Sequence, residues 1–239
     1  MSDTEQIKPT AHELMKMHVE AMFTHDRNMR IRTINEPWPG EPLAPRFFLG
    51  RTIEGSALCR FRNDVPETLA RQLEELCTDE PVVRDFQTKP KHFEVYMNLL
   101  QSERFTMGPC YLIPDTTVPT MDVISVTREN MTDLLRGGFE WLISEIDYAQ
   151  PCIAFVHEGR AVSICRSVRI ASRAHEAGLE TLEEFRGKGY AASVVAGWAM
   201  AVRSMECIPL YSTLCDNLSS QNVARKSGLS FYGVNFTIA

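Results

Sequence analysis

The stretch from Tyr190 to Met205 constrains this chain more than any other. Ala191, Val194, Val195, Trp198, Val202 and Met205 recur at i, i+3, i+4, i+7, i+11 and i+14, a continuous apolar stripe of a helix. A stripe of that width has to be covered, and its neighbours say by what. A short strand-like run ends near Leu182 ahead of it, and "IPLYSTL" follows as a buried strand. Strand, glycine turn, helix and strand in that order predict an α/β layer, with the helix pressed on a sheet.

The rest of the carboxyl half continues the pattern. Asp122 to Thr127 reads as a strand and Asn130 to Ile146 as a helix that tolerates Gly137-Gly138. "PCIAFVHEG" and "GRAVSICRSVRI" read as strands joined at Glu158-Gly159. "SSQNVARKS" is a short helix closed by Gly228, and "LSFYGVNFTI" a last strand.

The amino half reads differently. Residues 11 to about 29 form a helical pattern through Leu14, Met17, Ala21 and Met22. After the proline-rich "NEPWPGEPLAP" come two strands joined around Glu54-Gly55. A helix follows Pro66 with Leu69, Leu73 and Leu76 on one face, and another covers roughly 91–100. "GPCYLIPDTTVPTM" is a strand running into a connector, which places a boundary near residue 120: an amino-terminal α+β domain over 1–120 and a second domain over 121–239. His18 and His25, seven apart, read as surface or interface histidines, with no third ligand near enough in sequence to hold a metal.

A net charge of −6 over 239 residues, without a dense basic block, excludes a dedicated nucleic-acid binder. The greasiest run, Tyr190 to Val202, is too short to span a bilayer, and "MSDTEQIKPT" has no apolar core of a leader. Seven scattered cysteines with no CxxC pair suggest reduced thiols and a cytoplasmic setting.

Within this acidic chain the turn "EEFRGKGYAA" is basic and glycine-rich, as a phosphate site requires. A Walker loop is excluded, because Lys188 precedes Gly189 and Leu182 stands five before Gly187. Gly187, Gly189 and Ala192 meet the dinucleotide spacing G-x-G-x-x-[G/A]. The acid that should bind the ribose is misplaced, however: Glu206 lies before the next strand and Asp216 is too distant. The third device, R-x-x-G-x-[G/A], is met by Arg186, Gly189 and Ala191. Glycine permits both the φ angles and the close approach, and the next helix adds its positive end. About 26 residues on, Asn217, Ser220, Val223, Lys226 and Gly228 fit N-x-x-S-x-x-[VL]-x-x-K-x-G.

In these two motifs, across roughly residues 122–236, the chain resembles the GNAT superfamily of acetyl-coenzyme A-dependent N-acyltransferases, and within it the FR47-like branch. The resemblance implies a mixed, mostly antiparallel sheet with helices on both faces, preceded by a smaller α+β domain serving the acceptor or a dimer. It implies acetyl-CoA as co-substrate and no metal. It assigns Leu179, Thr181 and Leu182 to the pantetheine, Arg186, Gly187, Lys188, Gly189, Tyr190 and Ala191 to the pyrophosphate, and Asn217 and Ser220 to the thiol end. The acceptor would be a small-molecule or protein amine, attacked without a covalent enzyme intermediate. A coenzyme-binding sensor with eroded catalytic groups is the alternative.

Two departures bear on the chemistry. The family's Tyr after the Val/Leu position is replaced by Ala224, which leaves Tyr232, Tyr211, a cysteine or water as the acid. Only one strand fits after the last helix, so the sheet needs the amino half or a second copy, a homodimer, to complete it. For the base, Glu176, His175 and Glu180 stand on one strand, with both glutamates on one face and His175 on the other. A base from elsewhere, or none, stays open.

Overall fold

The computed structural model describes residues 8–239. Most of the amino-terminal stretch without a leader's apolar core lies outside them. Helix α1 (Ala11–Met22) is followed by β1 (Phe23–His25), β2 (Ile31–Ile34), β3 (Phe47–Thr52) and β4 (Ala57–Phe61). Next come α2 (Glu67–Cys77), α3 (Phe93–Leu100), β5 (Phe105–Leu112), β6 (Ile124–Ser125) and α4 (Met131–Leu134). The chain ends with β7 (Cys152–His157), β8 (Arg160–Ile170), β9 (Ala174–Thr181), α5 (Tyr190–Ser204), β10 (Ile208–Ser212), α6 (Leu218–Lys226) and β11 (Ser230–Ile238).

One nine-stranded sheet, in the order β4-β3-β11-β5-β10-β9-β8-β7-β6, carries the fold. Every neighbouring pair in it is antiparallel except β9 with β10. This is the mixed, mostly antiparallel sheet with helices on both faces that the sequence leads one to expect. α2 and α3 cover Phe47, Leu49 and Phe236, while α5 covers Cys165, Tyr111 and Tyr211 on the same side. α1 covers Phe48, Cys110, Ala174 and Leu210 on the opposite side. Burial of Trp198 anchors α5; truncating such a side chain costs about 3–5 kcal/mol.

The missing strand is supplied by the amino half. β5 lies between β10 and β11, pairing Cys110 with both Ser212 and Gly233. Strands from both sides of residue 120 therefore share one sheet. Gly108 is what allows the chain leaving β10 to cross here. A Cβ on it would stand 1.7 Å from Thr213 O, so only glycine fits without moving the backbone.

Four sequence expectations are corrected. The first helix stops at Met22 rather than near 29, because Phe23–His25 pairs as a strand with Ile31–Ile34. The helix expected over 130–146 is broken into α4 and a 3-10 turn at Glu140–Ser144, since Gly137 (φ +77°) and Gly138 (φ +159°) leave the helical region. His18 is not a surface residue: it is fully buried between α1 and the sheet. The strand expected at 122–127 narrows to Ile124–Ser125. Among the described residues no helix is long and apolar enough to cross a membrane.

Candidate functional site

β9 and β10 are paired only from Ala174–Ile208 to Glu176–Leu210. Beyond that rung they part. β9 stays with β8 as far as Thr181, and β10 stays with β5 through Ser212. The opening leaves one side of Ala177–Thr181 without a strand partner, and a cleft of about 790 Å³ occupies it. Its walls run from Leu179 and Thr181 past the glycine turn to Tyr211, Asn217 and Ser220.

The glycine turn closes the broad end. Gly187 (φ +80°) and Gly189 (φ +88°) take left-handed conformations that L side chains disfavour. Arg186 N is satisfied by Glu183 O, and Ser193 N by Gly189 O. Among the described residues no protein group accepts from the amides of Gly187 through Ala192. Unpaired donors at the start of a fifteen-residue helix, with the helix's positive end behind them, form an anion cradle. Lys226 adds a cation at the wall.

The expected coenzyme residues divide into two groups. Leu179, Thr181, Arg186, Gly187, Gly189, Tyr190, Ala191, Asn217 and Ser220 all line the cleft. Arg186 Nε donates to Thr181 O at 3.2 Å, bracing the turn against the strand, and Tyr190 stacks on Phe155 with ring centroids 3.9 Å apart. The Leu182 side chain packs instead against Gly138 and the cluster under α4. Lys188 lays its ammonium over the Phe185 ring, 4.7 Å from the centroid, and is not among the lining residues. Asn217 caps α6 by accepting from Ser220 N at 3.1 Å. Ser220 Oγ lies 2.6 Å from Tyr211 Oη and fixes that phenol at the cleft wall. Burial pushes the Tyr211 hydroxyl up to about 12, against the lowering effect of the Ser220 hydrogen bond.

The three expected catalytic residues fall in two places. His175 is on the α5 side, its Nδ1 2.9 Å from Ser167 Oγ, which also accepts from Trp198 Nε1 at 3.2 Å. Burial lowers its pKa. Glu176 lies on the other face, on the last paired rung before the strands part. Its Oε1 accepts from His18 Nδ1 at 2.7 Å, while Oε2 is buried without a partner. Tyr232 reaches the same face because it is the extra residue of a bulge, between the Phe231–Tyr111 and Gly233–Cys110 pairs. Its hydroxyl is also buried without a partner, and burial, with Cys110 and Glu176 nearby, raises its pKa far above the ordinary value.

Sequence reasoning missed His18 as a partner of Glu176, since 158 residues separate them. It also missed the lining residues Phe185, Ser212 and Leu214. Ser212 and Leu214 carry no motif of their own; they enter because β10 diverges from β9. Among the described residues, no three His, Cys, Asp or Glu side chains are grouped to hold a metal ion.

No protein-family model matches the chain, and no curated protein does. Solved structures do. An acetyltransferase of the GNAT family from Colwellia psychrerythraea is 13% identical over 76% of each chain, with a TM-score of 0.47. A GCN5-related N-acetyltransferase from Sphaerobacter thermophilus is 12% identical, covering 84% of this chain and 82% of that one, at 0.46. A tandem GNAT protein from the clavulanic acid biosynthesis pathway is 11% identical, covering 84% and 80%, at 0.45. Likenesses at this level leave the functional reading to the cleft itself.

Proposed function

We propose that the protein is a GNAT-type N-acetyltransferase that moves an acetyl group from acetyl-CoA to a primary amine by direct attack. One observation carries the reading: unpaired amides from Gly187 to Ala192 stand at the mouth of a gap between two parallel strands that part after Glu176–Leu210. In this reading the amides hold the coenzyme's diphosphate, and the pantetheine lies along Leu179 and Thr181 as a substitute strand. A free strand amide past the last rung polarises the thioester carbonyl.

Glu176 takes the base role through a water, because it stands where the strands part and its buried Oε2 has no partner, although Glu180 lines the cleft and Glu176 itself does not. His175 is engaged with Ser167 beneath Trp198 and acts as a packing residue of the other face. Tyr211 rather than Tyr232 protonates the leaving thiolate, since Tyr211 lines the cleft and Tyr232 does not. With Ala224 in the family's tyrosine position, the cleft is also compatible with a sensor that binds the coenzyme without turnover. The free oxygen of Glu176 favours the enzyme.

Thermal shift with acetyl-CoA, CoA, NAD and ATP tests the ligand class, and thiol release over a panel of amines tests turnover. Stabilisation by NAD alone would overturn the coenzyme assignment. Stabilisation by acetyl-CoA with no thiol release on any amine would replace the enzyme by the sensor.

A further inference from the structure

Beneath α1 lies a buried polar cluster that the coenzyme cleft does not use. His18 Nδ1 contacts Glu176 Oε1 at 2.7 Å, its Nε2 is 3.0 Å from the Asn235 side-chain amide, and Cys110 Sγ is 3.8 Å from Nε2. Glu176 Oε2 and Tyr232 Oη belong to this cluster and have no partner. Leaving buried polar atoms unpaired costs about 1–3 kcal/mol each, which a fold rarely sustains without a reason.

Of this cluster, Asn235 alone reaches a cavity, while His18, Glu176 and Tyr232 line neither it nor the coenzyme cleft. That cavity is a groove of about 210 Å³, whose walls include Met22, Phe23 and Phe48. The groove shares Ser212, Thr213 and Leu214 with the coenzyme cleft, so one short segment separates the two spaces. Apart from those apolar side chains its lining is Thr, Ser and Asn, with no Asp, Glu, Lys or Arg among the described residues. A charged substituent there would lose water and gain no counter-ion.

Resting on the acyl-transfer reading above, we infer that α1 completes the acceptor end of the site. His18 is a positioning residue that occupies Glu176 Oε1 and leaves Oε2 alone to take the proton of the acceptor amine. The acceptor enters along the neutral groove and is a small amine with an uncharged, apolar substituent. In the step, the amine lone pair forms the N–C bond to the thioester carbonyl and the C–S electrons leave with the coenzyme sulfur. One N–H proton passes through a water to Oε2, and the thiolate takes a proton from the Tyr211 hydroxyl. Return of the Oε2 proton to Tyr211 through solvent restores the enzyme, giving the amide and free CoA.

Burial alone would lower the His18 pKa, yet Cys110 and Glu176 raise it to about 10, and its Nδ1–H is held on the Glu176 carboxylate. The other charged or titratable groups facing Glu176 are Cys110 of β5, Tyr232 of β11, Tyr211 of β10 and Arg169 of β8. Arg169 is already paired with Glu36 at 3.0 Å. Removing the His18 side chain therefore takes from Oε1 the N–H that holds it.

The test is acetyl-CoA-dependent thiol release with 2-phenylethylamine, spermidine and L-glutamate, over a range of pH, with acetyl-CoA affinity measured separately. Wild type should use 2-phenylethylamine best. Glu176→Gln should lose about 10²-fold in kcat. His18→Gln should fall between the two, with acetyl-CoA affinity kept and the acid limb of kcat moved to higher pH. Asn235→Asp, which leaves His18 in place, should shift preference toward spermidine. A wild-type preference for spermidine or glutamate would overturn the inference, as would an unmoved acid limb in His18→Gln or an unchanged preference in Asn235→Asp. Acetyl-CoA binding without turnover of 2-phenylethylamine overturns it too while leaving the coenzyme site standing; loss of acetyl-CoA binding in wild type would instead remove the reading beneath it.

Discussion

Gly189 is the position where backbone strain and ligand charge can be separated. It sits at φ +88° and ψ −4°, and a Cβ there would lie 3.6 Å from Met121 Cε, an ordinary contact. Gly189→Ala therefore introduces strain and no clash, about 1–2 kcal/mol for an L residue in the left-handed region. For a chain of this length that lowers Tm by about 2–8 °C. Gly187→Ala is the control: φ is +80° and nothing lies within 4 Å of its added Cβ. Gly189→Glu carries the same strain plus one negative charge beside the amides that hold the diphosphate. A unit-charge pair at about 4 Å repels by about 1 kcal/mol in water and about 4 at an effective dielectric of 20. With the diphosphate's two charges in an open cleft, about 2–4 kcal/mol is expected, or about 30- to 1000-fold weaker acetyl-CoA binding. Titration calorimetry of the three variants reads this directly, and the difference between Glu and Ala at 189 should shrink as salt is added. If Gly189→Glu binds acetyl-CoA within about threefold of Gly189→Ala, at the tenfold-per-1.4 kcal/mol scale, the anion-cradle reasoning is wrong.

Gly108→Ala must displace Thr213, whose carbonyl carbon and oxygen would lie 2.7 and 1.7 Å from the new Cβ. Overpacking against backbone costs about 1–3 kcal/mol, so a lower Tm is expected; an unchanged Tm would contradict the placement of β5 beside the 213–214 crossing. His18 is raised from 6.5 to about 10 on folding, so it adds stability that is complete below 6.5 and is lost as pH climbs toward 10. Urea midpoints across that window should fall more steeply in wild type than in His18→Gln, and parallel curves would refute the ion pair. Native thiol labelling should find the half-buried Cys59 and Cys215 before the buried thiols. Cys152, pushed up to about 12 by burial, should label only with unfolding; early labelling of Cys152 would refute its burial.

Local chemistry made much of the site legible in advance. Gly187 and Gly189 are needed for φ values that other residues avoid, and Asn217 for a cap three residues ahead of Ser220 N, so both motifs announce themselves within a few positions. Leu182 and Lys188 belong to the same motif by spacing, yet their side chains leave the cleft, because spacing fixes position along the chain and not the direction a side chain takes among its neighbours. Tyr232 is a sharper case. Its face depends on a one-residue bulge in β11, and strand alternation alone cannot foresee a bulge.

What the sequence determined by itself was the periodic and the local: the stripe of α5, the turn before it, the cap of α6, and most strand runs with their hairpin at Glu158–Gly159. What tertiary structure decided was the long-range pairing. It alone put β5 between β10 and β11, let β9 and β10 part after Glu176, and brought His18 of the first helix onto Glu176. Periodicity reflects which face of one element must leave water. Partners across 158 residues are chosen only when the whole sheet closes and every buried face competes for the same space.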